Sequence, residues 1–309
     1  MSKMAIVFPG QGSQTLGMLA DIAQEYQVVI QTFEQASNVL GYDLWALIQN
    51  GPSEDLNRTD RTQPALLAAS VALWRVWCEQ NGQQPDYVAG HSLGEYSALV
   101  CAGAIDFEDA IKLVELRGQY MLEAVPEGVG SMAAIIGLDD ESIAKACREA
   151  CDEQVVSPVN YNSPGQVVIA GHKEAVDRAS VLCKEAGAKR ALPLAVSVPS
   201  HCSLMTPAAE KLAAQLENIE VNVPALPVVN NVDVAIENNP VAIKDALKRQ
   251  LFSPVRWSET VQFFAENDIT SQIEVGPGKV LSGLAKRIDK RVVGIATTDL
   301  ASLTSALEK

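Results

Sequence analysis

A serine set between two glycines, Gly90-His91-Ser92-Leu93-Gly94, follows the apolar run Tyr87-Val88-Ala89 and precedes the small-residue run Ser97-Ala98-Leu99-Val100. Strand, G-x-S-x-G, then helix is the setting of a nucleophile elbow. Glycines on both sides let the chain turn sharply without a Cβ clash. The serine hydroxyl is thereby exposed at the positive end of the following helix. A base for such a serine must come from the three histidines, His91, His172 and His201. His91 is inside the elbow itself, and His172 opens a helix as a surface or capping residue. His201 sits in the proline-broken segment Val196-Ser197-Val198-Pro199-Ser200-His201-Cys202 and is the one well placed as a general base. Cys202, as the sequence neighbour of that base, points away from it.

Two further features bear on charge. Gly10-Gln11-Gly12 follows the first apolar run, but Thr15 stands where a dinucleotide fingerprint needs its third glycine. A glycine-rich loop in that place can instead turn backbone N–H groups toward a developing oxyanion. Arg117 lies three or four residues from Leu113, Val114 and Met121, and the first two of these lie three or four from Ala110 in turn, which places it in an apolar helical stripe. A guanidinium there must find an anion. That anion is either internal, with Glu95 or Glu115 as candidates, or the carboxylate of a substrate held by two parallel hydrogen bonds.

The elements that must position these groups alternate between strand and helix. Residues 4–8 read as a buried strand. Residues 16–49 carry helical periodicity broken at Gly41, and Gln63-Pro64 opens an apolar, buried helix over 65–77. After the elbow, Asp106 begins the helix that carries Arg117. From Pro126 the pattern changes: strand 131–138, helix 139–150, strands 155–160 and 166–170 joined at Ser163-Pro164-Gly165, helix 173–186, strand 190–196. The order βαββαβ is the ferredoxin-like arrangement. Beyond His201 the alternation resumes, with strands at 226–229 and 271–275 and helices at 242–252, 258–266 and from Lys279. Gly276-Pro277-Gly278-Lys279 lacks the spacing of a phosphate loop and reads as a strand-to-helix turn. The fold class is therefore α/β: a large domain on a parallel sheet, residues 1–125 and 198–309, with a small ferredoxin-like subdomain inserted at 126–197.

Composition narrows the partners. A formal net charge of −14 argues against a nucleic-acid surface and against an anionic membrane. No apolar stretch approaches the roughly 20 residues that span a bilayer, and the N-terminal run is too short for a signal-peptide core. Six cysteines are scattered, and Cys147 and Cys151 have no histidine nearby, so no metal site is expected. Reduced thiols suit a cytoplasmic protein.

Serine and histidine at these positions imply covalent acyl transfer. No acid stands out as a third member. The residues alone leave three readings: a hydrolase such as a serine thioesterase or esterase, an acyltransferase with a thiol or alcohol acceptor, and a non-catalytic α/β binding module.

The motifs Phe8-Pro9-Gly10-Gln11-Gly12-Ser13-Gln14, Thr62-Gln63-Pro64-Ala65, Gly90-His91-Ser92-Leu93-Gly94-Glu95, Arg117-Gly118, Pro199-Ser200-His201 and Glu274-Val275-Gly276-Pro277-Gly278 occur in this order over essentially the whole chain. Together they resemble the bacterial malonyl-CoA:acyl carrier protein transacylases, with a large α/β-hydrolase-like domain and the same insert. The resemblance implies Ser92 as nucleophile and His201 as base, with the backbone N–H groups of Gln11 and Leu93 as oxyanion hole. It implies Arg117 as the grip on the malonyl carboxylate, and a backbone carbonyl, that of Gln250, orienting the histidine in place of an acid. Gln63 and Ser200 become candidate pocket residues. The implied partners are malonyl-CoA and acyl carrier protein, met by a monomer. Coenzyme A thioester is a substrate, the phosphopantetheine arm belongs to the partner, and no cofactor is permanently bound. Carrier proteins of this pathway are acidic, so docking on this acidic chain needs a local basic patch. Lys189-Arg190 and Lys286-Arg287, with Lys290-Arg291, are the candidates.

Overall fold

The computed structural model describes residues 3–196 and 198–308; Ser197, in the segment that leads to His201, lies outside the described residues. The chain opens with strand β1 (Lys3–Phe8) and five helices, α1 (Ala20–Glu25), α2 (Gln27–Leu40), α3 (Leu44–Asn50), α4 (Ser53–Leu56) and α5 (Thr59–Glu79). Strand β2 (Tyr87–Gly90) leads to α6 (Gly94–Cys101) and α7 (Phe107–Ala124). Then come β3 (Gly130–Ile136), α8 (Asp140–Ala150), β4 (Val156–Ser163), β5 (Gln166–His172), α9 (Lys173–Glu185) and β6 (Arg190–Pro193). The remainder holds α10 (Thr206–Leu216), β7 (Val228–Val229), α11 (Pro240–Gln250), α12 (Trp257–Glu266), β8 (Ile269–Glu274), α13 (Val280–Ile288), β9 (Val293–Ala296) and α14 (Leu300–Leu307).

Two sheets result. The larger has the order β7-β2-β1-β8-β9, and its pairs are parallel. Its central strand is buried on both faces by the two-residue alternation of a strand. Met4, Ile6 and Phe8 join the core under α5, α7 and α10, while Ala5 and Val7 join Trp257, Val261 and Phe264 of α12 on the other face. The smaller sheet is antiparallel in the order β4-β5-β3-β6. One of its faces packs Ala133 and Ile135 on α8 and α9. The other carries Met132, Val168 and Ala170 against Cys202. Strand β4 is also tied by backbone to the segment that leads into α12: Tyr161 N–H donates to the Val255 carbonyl at 3.0 Å and Val255 N–H to the Val159 carbonyl at 2.8 Å.

Several boundaries differ from the sequence reading. Helix α5 starts at Thr59, so Pro64 lies within it. Proline there removes one helical N–H donor, but tertiary burial of nearly the whole helix outweighs that loss. Helix α6 begins at Gly94, directly after the elbow. Helix α10, strand β9 and helix α14 were not anticipated. Among the described residues, no helix is long and apolar enough to cross a membrane.

Candidate active site

Ser92 sits between the end of β2 and the start of α6 with φ of 53°. A left-handed serine costs on the order of 1–3 kcal/mol and persists only where its surroundings enforce it. Here the enforcement is packing. A Cβ on Gly90 would lie 1.8 Å from the Gly94 carbonyl carbon, and one on Gly94 would lie 2.1 Å from the Phe8 carbonyl oxygen. The elbow glycines are therefore required by close approach of chain to chain.

His201 is also left-handed, with φ of 66°, and is 3% exposed. Its Nδ1 lies 2.7 Å from the Gln250 carbonyl oxygen. A carbonyl only accepts, so Nδ1 carries the proton and Nε2 presents a lone pair. Nε2 is 2.7 Å from Ser92 Oγ, close enough to accept the hydroxyl proton. Burial first, and then the neighbouring Arg117 cation, push the His201 pKa down to about 3, so the ring is neutral at pH 7. Cys202 is buried beside it, its thiol donates to the Pro199 carbonyl, and burial pushes its pKa up to about 11. A neutral thiol held this way is no nucleophile.

Arg117 projects from α7 into the same place at 1% exposure. Its Nη1 donates to Gln63 Oε1 at 2.8 Å. Its Nη2 donates to Gln250 Oε1 at 3.0 Å and to Ser92 Oγ at 3.3 Å, while Nε has no hydrogen-bond partner among the described residues. Both internal anion candidates are engaged elsewhere. Glu115 takes Lys112 at 2.8 Å and Arg61 at 3.8 Å. Glu95 accepts from Gln250 Nε2 and from the Asn231 N–H. The guanidinium thus faces neutral acceptors and the Ser92 hydroxyl, and burial lowers its pKa from the ordinary value.

These groups lie at the base of a cleft of about 1080 Å³ whose walls include Gln11, Arg58, His91, Met132, Ser200 and Lys173. Met132 and Lys173 come from the segment that forms the smaller sheet and its helices. Arg58 is paired with Asp60 at 3.0 Å. The backbone N–H groups of Gln11 and Leu93 have no acceptor among the described residues. Gln63 is buried behind Arg117 and also reaches Met121 Sδ at 3.5 Å. His172 is at the N-cap of α9, but it uses Nδ1 to accept the Val155 N–H at 2.9 Å.

The chain belongs to the acyl transferase family. A family model described as "Acyl transferase domain" matches residues 5–303. This acyl transferase is 65% identical to the malonyl CoA-acyl carrier protein transacylase of Escherichia coli strain K12, over 100% of both chains. It is 44% identical to the protein of that name from Bacillus subtilis, over 100% of this chain and 97% of the relative. An acyl carrier protein S-malonyltransferase from Vibrio cholerae superposes with a TM-score of 0.97 at 68% identity, covering 98% of this chain and 99% of the other. A malonyl-transacylase solved in complex with a type II polyketide synthase acyl-carrier protein superposes at 0.98 with 66% identity, covering 99% of each chain.

Two side chains of this acyl transferase's site escaped the sequence reading, and a third, Glu95, was read only in part. Asn231 Oδ1 accepts the Ser92 N–H at 2.7 Å, and its Nδ2 donates to the Gly90 carbonyl at 2.7 Å. Asn162 Oδ1 lies 2.9 Å from His91 Nε2 and so bridges the elbow to β4. Glu95 was visible only as a possible partner of Arg117. The one available signal for Asn231 was an Asn-Asn pair at the end of a strand, which says nothing of its partner.

Proposed function

We propose that the protein moves a malonyl group from malonyl-CoA to the phosphopantetheine thiol of acyl carrier protein through a malonyl-serine ester. The observation that carries this reading is Arg117: a buried cation, hydrogen-bonded to neutral side chains, 3.3 Å from the nucleophilic oxygen. Burying a charge without a counter-ion is costly. An acyl group that brings its own carboxylate supplies the counter-ion, and the planar fork binds it in two parallel hydrogen bonds.

In the first half-reaction Ser92 Oγ attacks the thioester carbonyl while His201 Nε2 takes its proton. The oxygen of the tetrahedral intermediate is held by the N–H groups of Gln11 and Leu93. Collapse breaks the C–S bond, and the coenzyme A sulfur leaves with the proton that His201 returns. In the second half-reaction His201 removes the proton from the incoming pantetheine thiol, whose sulfur attacks the ester, and Ser92 is released as the hydroxyl. The Gln250 carbonyl keeps Nδ1 protonated throughout. A carboxylate on Arg117 also offsets the cation that depresses His201, so loading with the right acyl group makes the base stronger.

In this reading 126–197 is the small subdomain, walling one side of the cleft, and 1–125 with 198–309 is the large one. Gln63 holds Arg117, and Ser200 shapes the pocket. Carrier protein docks on Lys189, Arg190, Lys286 and Arg287. Support for that comes from their placement: Arg190 pairs with Ile136, Ile136 with Gln166, and Gln166 Oε1 accepts from Arg287 at 2.9 Å. The enzyme works in the cytoplasm with coenzyme A thioester as substrate and needs no resident cofactor.

Incubation with malonyl-CoA followed by intact mass measurement tests the proposal. A malonyl adduct is expected on the wild-type protein and absent from Ser92→Ala. Chasing the adduct with carrier protein should discharge it far faster than buffer does. Equal discharge by buffer would make the protein a thioesterase.

A further inference from the structure

We propose that Glu95 is a positioning residue of this site, setting the orientation of Arg117 through the side-chain amide of Gln250. The proposal rests on malonyl transfer as the reaction. Glu95 lies in the first turn of α6 at 2% exposure. Its Oε2 receives two donors, Gln250 Nε2 at 2.7 Å and the Asn231 N–H at 3.0 Å. Whatever the charge on the carboxyl group, an oxygen with two N–H donors acts as an acceptor, so the Gln250 amide must turn its NH2 toward it. The opposite end of that amide, Oε1, then faces Arg117 and accepts from Nη2 at 3.0 Å. Were the amide turned over, NH2 would meet guanidinium, donor against donor. Glu95, with the Ser92 carbonyl as a second and longer acceptor at 3.1 Å, therefore favours the amide orientation that can hold the arginine.

The same oxygen reaches the nucleophile by a second arm. Asn231, anchored by its N–H on Glu95, clasps both the Gly90 carbonyl and the Ser92 N–H. Gln250 Nε2 adds a hydrogen bond to the Ser92 carbonyl at 3.1 Å, and the Gln250 main chain holds His201. A single buried carboxyl group thus connects to the nucleophile, the base and the arginine. Burial pushes its pKa up to about 7, against the opposing pull of the Gln250 and Asn231 hydrogen bonds. Arg117 and Asp233 are the charged groups that act on it. Through Gln250 Oε1 the network reaches Arg117, whose grip concerns substrates that bear a carboxylate, whereas the bonds from Asn231 and Gln250 to Ser92 concern every acyl group. That difference separates positioning of Arg117 from plain support of the fold.

The test compares wild type, Glu95→Gln and Glu95→Ala in single-turnover acylation of Ser92 by malonyl-CoA and by acetyl-CoA, at equal folded fraction fixed by thermal denaturation. Glu95→Gln offers an amide oxygen in place of Oε2 and is expected to restore the malonyl-to-acetyl ratio that Glu95→Ala loses. Glu95→Ala removes the nearer of the two acceptors of the Gln250 NH2, at 2.7 Å against 3.1 Å for the Ser92 carbonyl, and malonyl acylation falls roughly tenfold to a hundredfold, the scale of a small misplacement in a reacting complex, with acetyl acylation falling less. If the alanine variant does not fold, Glu95→Asp, one methylene too short to reach both donors, is expected to shift the malonyl-to-acetyl ratio in the same direction. An unchanged ratio in the folded variant overturns the proposal even if both rates drop. Failure of malonyl transfer as the reaction is a separate result, because it shows in the wild type as no preference for malonyl over acetyl.

Discussion

Both Ser92 and His201 hold backbone conformations that L-residues seldom adopt, with φ of 53° and 66°. They are over-determined by what they touch. Ser92 has its N–H on Asn231 and its carbonyl on Gln250, while the His201 N–H is fixed 3.0 Å from the Leu251 carbonyl. Arg117 has the opposite character: a charge that the protein leaves incompletely matched. Arg117→Ala is therefore expected to lower kcat/KM for malonyl-CoA by about 3–5 kcal/mol, the cost of leaving a buried partner charge alone. Acetyl-CoA, which has no carboxylate, should be spared. Steady-state kinetics with the two thioesters checks this, and equal losses would remove the carboxylate role from Arg117.

At the scale of elements, the site depends on how closely β1, β2 and α6 approach. Gly94 opens α6 against the Phe8 carbonyl of β1, and Gly90 closes β2 against Gly94 itself. Gly94→Ala is expected to force α6 away from the sheet and to destabilise the fold by about 1–3 kcal/mol, as overpacking does. A lowered denaturation midpoint with an unchanged slope would show it; an unaltered midpoint would mean the elbow has slack. The strong local patterns in this layer were readable beforehand. The Asp106 cap of α7 is one, its side chain accepting from the Glu108 N–H at 2.8 Å. The buried stripe that holds Arg117 is another. The N-terminus of α5 was not, because Pro64 signals a helix start at 65 and only packing against α7 carries the helix six residues further back, to Thr59. There Gly118 lets the two backbones touch, its absent Cβ being 2.6 Å from the Asp60 Cα.

Over the whole molecule, two sheets of different kinds meet to make one cleft. Bonds such as His91 to Asn162 and Tyr161 to Val255 keep the walls in register. Net charge and local charge also part company at this scale. The chain carries −14 overall, yet Lys189, Arg190, Lys286 and Arg287 are exposed, and Arg287 reaches Gln166 at the end of the smaller sheet that carries Arg190 two strands away. Charge reversal at Lys189 and Arg190 together is expected to raise the KM for carrier protein about tenfold or more at low salt and to leave that for malonyl-CoA unchanged, since steering acts on the charged macromolecule. Equal effects on both substrates would place the docking surface elsewhere.

The sequence by itself determined the features whose signal is local: the elbow at Ser92, the helical stripe around Arg117, and the alternation of strand and helix on either side of a βαββαβ insert. Proximity in the chain encodes all three. Only the tertiary structure decided what surrounds the serine. Asn231 is 139 residues from Ser92, and Gln250 is 155 from Glu95. The acceptor beside His201 Nδ1 is a main-chain carbonyl, that of Gln250, which the sequence offered only through the family resemblance. Every residue has one, so no residue type announces it, and it acts here because α11 ends beside the histidine.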